Sequence, residues 1–263
     1  MYVVRHRPRG RRIGQILLAG CYAFRRERAY ISWVRWARFL AMHGLEVLRF
    51  DYRGAGESTG DFARMDFDAW LDDTRCCARW LRDRGDGCPL VLHGFELGAL
   101  LACKVFNQGI GDALLAWSPP ESARDILCQA LYVHRIQQYA MRMRKHRAGH
   151  EELTAELEAG RPVVVGGCTV SPHLWEQSAD LVFVEPKPHG ASSKAHGVRP
   201  YRVFHLDATA GPLCMSGSVV RPDQTDELGQ LNPDLTPWFK ENLDWICHSL
   251  IDDWRSRATH PAN

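Results

Sequence analysis

The chain has 263 residues, enough for one α/β domain with a modest insertion and a sizeable core. Thirty-three basic against thirty-one acidic residues leave a net charge of +2, so no global field calls for nucleic acid. Nine cysteines include no C-x-x-C pair, and Cys76 and Cys77 are adjacent, a pattern that disfavours a metal site or a disulfide framework and fits reduced thiols in the cytoplasm.

No uncharged apolar run reaches about 18 residues, so a transmembrane helix is not expected. The N-terminal Arg5, Arg7 and Arg9, interrupted by Pro8, lack the apolar segment of a signal peptide. Tyr2-Val3-Val4 and Leu17-Leu18-Ala19 read as strands joined by the Pro8-Arg9-Gly10 turn, an antiparallel opening hairpin. Tyr30, Val34, Ala37 and Ala41 recur at helical spacing, and Gly44 ends that helix. Leu45 to Phe50 reads as a strand. Phe67, Trp70, Leu71, Thr74, Ala78 and Leu81 mark an amphipathic helix, and Leu90-Val91-Leu92 is the next strand.

Ala113 to Trp117 reads as a further strand, closed by Ser118-Pro119-Pro120. From Ile126 to Gly160 the pattern turns helical and carries a basic cluster of Arg135, Arg142, Arg144, Lys145 and Arg147, where a lid would be inserted. Pro162 to Val165, Leu181 to Val184 and Tyr201 to Leu206 are strand-like. Phe239, Leu243, Ile246, Leu250 and Trp254 share one face of a final helix, and Pro186 to Pro200 reads as a loop. Strands alternating with helices at this spacing predict an α/β architecture with a mostly parallel central sheet and helices on both faces.

The most informative segment is Gly94-Phe95-Glu96-Leu97-Gly98, between a buried strand and the helical run from Ala99 to Lys104. A strand, a tight Gly-x-x-x-Gly turn and a helix form a nucleophile elbow, in which the central residue is strained and its glycine neighbours let strand and helix approach. The position that usually holds Ser, Cys or Asp holds Glu96. The plain alternative is a βα turn whose carboxylate is stabilised by the positive end of the helix dipole.

Together with Asp51-Tyr52-Arg53-Gly54-Ala55-Gly56-Glu57-Ser58, the elbow resembles the α/β-hydrolase superfamily, in which a D-x-R-G-x-G-x-S loop precedes the elbow strand. The resemblance runs from about Ile13 to Ile251 and implies a single α/β-hydrolase domain over residues 1–263 with a small helical lid at about 121–160. Ala23 to Arg28, Gly56 to Phe62 and Glu158 to Val163 further resemble the exosortase A system-associated hydrolases, bacterial proteins found with exopolysaccharide and protein-sorting machinery. In that group the elbow often lacks serine.

Carried over by position, the resemblance puts the nucleophile at Glu96 and oxyanion-hole amides at Leu97 and at Cys21 or Tyr22. Gly20-Cys21-Tyr22 departs from the usual His-Gly, but backbone amides need no particular side chain. The acid follows a late strand, which leaves Glu185 and Asp207. The late histidines are His189, His196, His205 and His248, with His205 taken as the helper; none stands in a Gly-His context.

Glu96 has three chemical roles open to it. It can attack as a carboxylate, although its extra methylene relative to Asp displaces the attacking oxygen, and a misplacement near 1 Å costs on the order of 100-fold. It can act as a general base with a pKa raised by burial. It can also be inert, its own charge occupying the oxyanion donors. Cys21 and His93 are more simply core residues, and Asp51 and Arg53 more simply fix their loop.

Arg25, Arg26 and Arg28 with the basic lid are candidates to attract an anionic small molecule such as a carboxylate or phosphosugar, set against a solvated helix face. Peripheral contact with an anionic membrane is a lesser option. Nothing in the sequence asks for a cofactor. Two functions stay open: hydrolysis or acyl transfer at an ester or thioester, or a non-catalytic binding role on the same scaffold.

Overall fold

The computed structural model describes residues 1–140, 150–186, 199–205 and 236–251. The sheet is assembled from β1 (Val3–His6), β2 (Gly14–Ala19), β3 (Leu45–Phe50), β4 (Leu90–Phe95), β5 (Ala113–Trp117) and β8 (Tyr201–Phe204) in the order β1-β3-β2-β4-β5-β8. All neighbours are parallel except β1, which runs antiparallel to β3 with Val3 opposite Phe50. Helices α1 (Ala23–Met42), α2 (Phe67–Asp83) and α3 (Leu97–Asn107) make the crossovers.

The expected opening hairpin is therefore corrected, since β1 pairs with β3 and not with β2. Every residue of β2 is buried, and both of its edges are taken by the parallel neighbours β3 and β4, so no edge is left for β1. β1 is only half-buried, and it takes the edge.

Two cores follow from the period-two alternation of the central strands. Leu17 and Ala19 of β2, with Leu90 and Leu92 of β4, face α2, α3 and the helix α4 (Ala123–Ala140). Ile16, Leu18, Val91 and Phe95 point the other way, toward α1 and α7 (Thr236–Ile246). α2 buries Phe67, Trp70, Leu71, Thr74, Ala78 and Leu81, as its spacing predicts, and Asp66 caps it by accepting from the Ala69 amide at 2.7 Å.

In the segment expected to form a lid, α4 and α5 (His150–Glu158) send Leu127, Leu131 and Leu157 into the first core. Arg142, Arg144, Lys145 and Arg147 lie outside the described residues. Val163–Val165 (β6) is a strand as expected, paired with Cys168–Val170 (β7) in a separate antiparallel hairpin, whereas Leu181 to Val184 contributes one isolated bridge, Val182 to Ser122, in place of the expected strand. Between β7 and β8 the short α6 (Pro172–Gln177) is capped by Ser171. Among the described residues, no helix is long and apolar enough to cross a membrane.

Candidate functional site

Leaving β2, the chain steps to β3 on one side and then returns to β4 on the other, and α1 and α3 leave toward opposite faces of the sheet. This reversal opens a crevice at the carboxyl ends of β2 and β4, the place where ligands bind in open α/β sheets.

Glu96 stands at that edge between β4 and α3, with φ 52° and ψ −113°. Such a conformation costs a non-glycine residue roughly 1–3 kcal/mol. The flanking glycines explain how the turn closes. A Cβ on Gly94 would fall 2.1 Å from the Gly98 carbonyl oxygen, and one on Gly98 would fall 2.0 Å from that of Ala19. The elbow expected from the sequence is thus formed, and it is pressed against the end of β2.

The Glu96 side chain is buried and closed off by a charged partner. Nη1 of Arg25, on the first turn of α1, donates to Oε1 of Glu96 in a largely buried ion pair whose side chains keep 15% and 11% of their surface exposed. Oε2 is buried with no hydrogen-bond partner among the described residues. Burial pushes the Glu96 carboxyl above the ordinary carboxylate range, and Arg25 offsets this only in part.

Cys21 and Tyr22 lie on the loop between β2 and α1, and Cys21 is near enough to Glu96 to feel its charge. The Cys21 thiol is fully buried, and desolvation together with the nearby Glu96 pushes its pKa up, so it is held as the thiol and not as a reactive thiolate.

The remaining sequence-selected residues are dispersed. Phe95 is level with Trp117 and Trp117 with Phe204, so Glu96 and His205 leave the sheet at the same height, two strands or about 10 Å apart. His205 is exposed there. Glu185 is exposed and accepts from the Tyr201 hydroxyl at 3.4 Å, away from the elbow. Asp207, His189 and His196 lie outside the described residues. His248 donates to the carbonyl of Asp244. Nothing is described of the Arg28 side chain.

His93 is a core residue. Nδ1 donates to the Leu115 carbonyl at 2.8 Å, the ring packs among Trp33, Trp36 and Trp117, and burial drives its pKa down to about 3.

The crevice is an open concavity of about 620 Å³, a volume that takes in solvent at its mouth. Its buried wall is aromatic, formed by Tyr22, Trp33, Phe50, Tyr52, Trp70 and Phe95, with Phe62, Ala29 and Leu97 beside them. Its more exposed rim carries Arg26, Tyr30 and Arg49. Glu96 does not line this space, although both of its neighbours do.

The D-x-R-G-x-G-x-S loop borders the crevice and is tied down internally. Asp51 takes a fork from Arg26 at 2.8 and 2.7 Å and also accepts the Glu57 amide at 3.0 Å. Arg53 donates to Asp73 from its amide at 2.8 Å and from Nε at 2.6 Å. Asp51 and Arg53 do fix the loop, through Arg26 and Asp73 as partners.

Two features escaped sequence reasoning. Arg49 reads there only as part of a strand, and its signal was a lone cation near the end of an apolar run. Ser118 has φ 42° although it precedes Pro119, a position normally held extended. With Ala23 at φ 32°, the first residue of α1, and Glu96, it makes three strained residues just beyond the ends of β2, β4 and β5.

Comparison with known proteins agrees with this architecture. Residues 31–154 match the family model for the serine aminopeptidases, S33. Among solved structures, Est1E from Butyrivibrio proteoclasticus with bound ferulic acid superposes with a TM-score of 0.51 at 14% identity, covering 78% of this chain and 84% of that one. XC6422 from Xanthomonas campestris, described as an α/β serine hydrolase without a lid, is 26% identical with a TM-score of 0.39, over 45% of this chain and 56% of its own. The chain thus spans just over half the length of that structure. Mouse α/β hydrolase domain-containing protein 10 matches at 17% identity and a TM-score of 0.45, over 77% and 71%. No curated protein matches this chain. The chain has the α/β-hydrolase fold, with Glu96 at the crown of its elbow.

Proposed function

We propose that this chain works as a ligand-binding protein on the hydrolase scaffold and not as an acyl hydrolase. The observation that carries this reading is the Arg25–Glu96 ion pair at the elbow. A carboxylate paired with a guanidinium is a poor nucleophile, and its resident charge competes for the amide donors that would otherwise meet a developing oxyanion. Among the described residues, no histidine is hydrogen-bonded to Glu96. The setting belongs to the same proposal. The three segments resembling the exosortase A system-associated hydrolases support a cytoplasmic role in a bacterial exopolysaccharide or protein-sorting pathway, with α4 and α5 as a helical lid.

The test is a fluorophosphonate probe and a panel of acyl esters and thioesters, applied to the wild type, Glu96→Ala and Glu96→Ser. Neither labelling nor turnover above background is expected from any of the three. Strong wild-type labelling, or turnover that Glu96→Ala removes, would overturn the reading.

A second reading is favoured by one observation, the partnerless buried Oε2 of a carboxyl whose pKa is raised. That is the state required of a general base activating water on an ester or thioester, with His205 and either Asp207 or Glu185 as helpers. It requires turnover that depends on Glu96.

A further inference from the structure

The aromatic crevice is a built pocket whose charges are unequally matched. Arg25 is engaged by Glu96, and Arg26 is neutralised by its fork to Asp51. Arg49 has no carboxylate partner among the described residues. Its Nε donates to Nε2 of His6 at 3.2 Å and its Nη2 to the Tyr30 hydroxyl at 3.4 Å, while its guanidinium lies 5.2 Å from the Tyr30 ring centroid.

We infer that this pocket takes an organic monocarboxylate, its apolar body against Trp33, Tyr22 and Trp70 and its head group on Arg49. The wall supplies desolvated ring faces suited to a flat or aliphatic body. One uncompensated guanidinium matches one carboxylate. A phosphate dianion would need a second fork, which Arg26 can give only by leaving Asp51. His6, beside Arg49 and Arg38, has its pKa lowered by burial and by those two cations.

The inference names the ligand class for the binding role proposed above and depends on the crevice being a working site, while the chemistry at Glu96 does not enter. The experiment titrates the full chain with decanoate and 4-phenylbutyrate, and with decanol and 4-phenylbutanol, by calorimetry and tryptophan fluorescence. The acids are expected to bind roughly tenfold more tightly than the alcohols, the worth of one charge-assisted hydrogen bond. Arg49→Gln should abolish that preference while retaining alcohol binding, and Arg49→Lys should keep part of it. Ala29→Leu, with its fold checked by circular dichroism, should weaken all four ligands by filling the pocket.

Equal binding of acid and alcohol, an acid preference that survives in Arg49→Gln, displacement of decanoate by inorganic phosphate, or no binding of any probe would each overturn the inference. None of these outcomes bears on the labelling and turnover that test the elbow, so the two failures are distinguishable.

Discussion

The guanidinium of Arg25 closes on the carboxylate of Glu96 across 71 residues of sequence, joining the first turn of α1 to the crown of the elbow. Two strained backbones, at Ala23 and at Glu96, flank the contact. Removing one partner leaves a largely buried charge without compensation, which costs more than the pair contributes. Arg25→Gln is therefore expected to lower stability by about 2–4 kcal/mol, and Arg25→Gln combined with Glu96→Gln to recover most of that. Urea unfolding of the two single variants and the double variant checks this. Additive losses would mean that the two side chains do not interact.

The pH dependence of Glu96 has a definite sign. Its pKa in the folded protein lies above the ordinary carboxylate value because burial outweighs Arg25, so the native state binds more protons than the unfolded chain in the window between the two. Wild-type stability contributed by this group falls as pH rises through that window. Glu96→Gln does not titrate. The stability of Glu96→Gln relative to wild type should be flat below the ordinary carboxylate range, climb as pH rises through the window, and level off above it. A relative stability that declines with pH would mean that Arg25 outweighs burial.

The elbow glycines are held by contacts too short for any added atom. A Cβ at position 98 would stand 2.0 Å from the carbonyl oxygen of Ala19 and 2.6 Å from that of Gly20, both backbone atoms that move only with the strand and its loop. Gly98→Ala is expected to destabilise the fold by more than about 4 kcal/mol or to prevent folding, whereas Gly109→Ala, with open space around it, pays only for its positive φ. Expression and thermal midpoints of the two variants give the comparison.

The parts of the fold legible in the sequence were those written in local patterns. The α2 face, the buried runs of β4 and β5 and the glycine frame around Glu96 each follow from spacing within a single element or turn. The partner of β1 was not legible, because Pro8-Arg9-Gly10 is a good local turn while both edges of β2 are taken by β3 and β4, which lie further along the chain. α1 begins at Ala23, seven residues before the apolar periodicity at Tyr30, and Tyr22 before it makes no side-chain cap, so nothing local announced the start. That placement sends Arg25 to Glu96 and Arg26 to Asp51. Among the described residues the rim arginine left without a carboxylate is Arg49, whose contacts, His6 and Tyr30, are distant in sequence.

A buried histidine supplies the last prediction. His93 is neutral in the folded protein, its pKa near 3, while the unfolded chain takes up a proton near pH 6.5. A folded pKa below the unfolded one gives stability that is complete above the unfolded value and is lost as pH falls toward the folded one. His93 should therefore account for a loss on the order of 3 kcal/mol between pH 6.5 and pH 4. His93→Phe forfeits the hydrogen bond to the Leu115 carbonyl, about 1 kcal/mol at pH 7, but carries no proton-linked loss. The two stability curves should cross, with the wild type ahead at pH 7 and His93→Phe ahead at pH 4. Urea midpoints at those two pH values decide it, because parallel curves would require His93 to be protonated within the fold, beside Trp36 and Trp117.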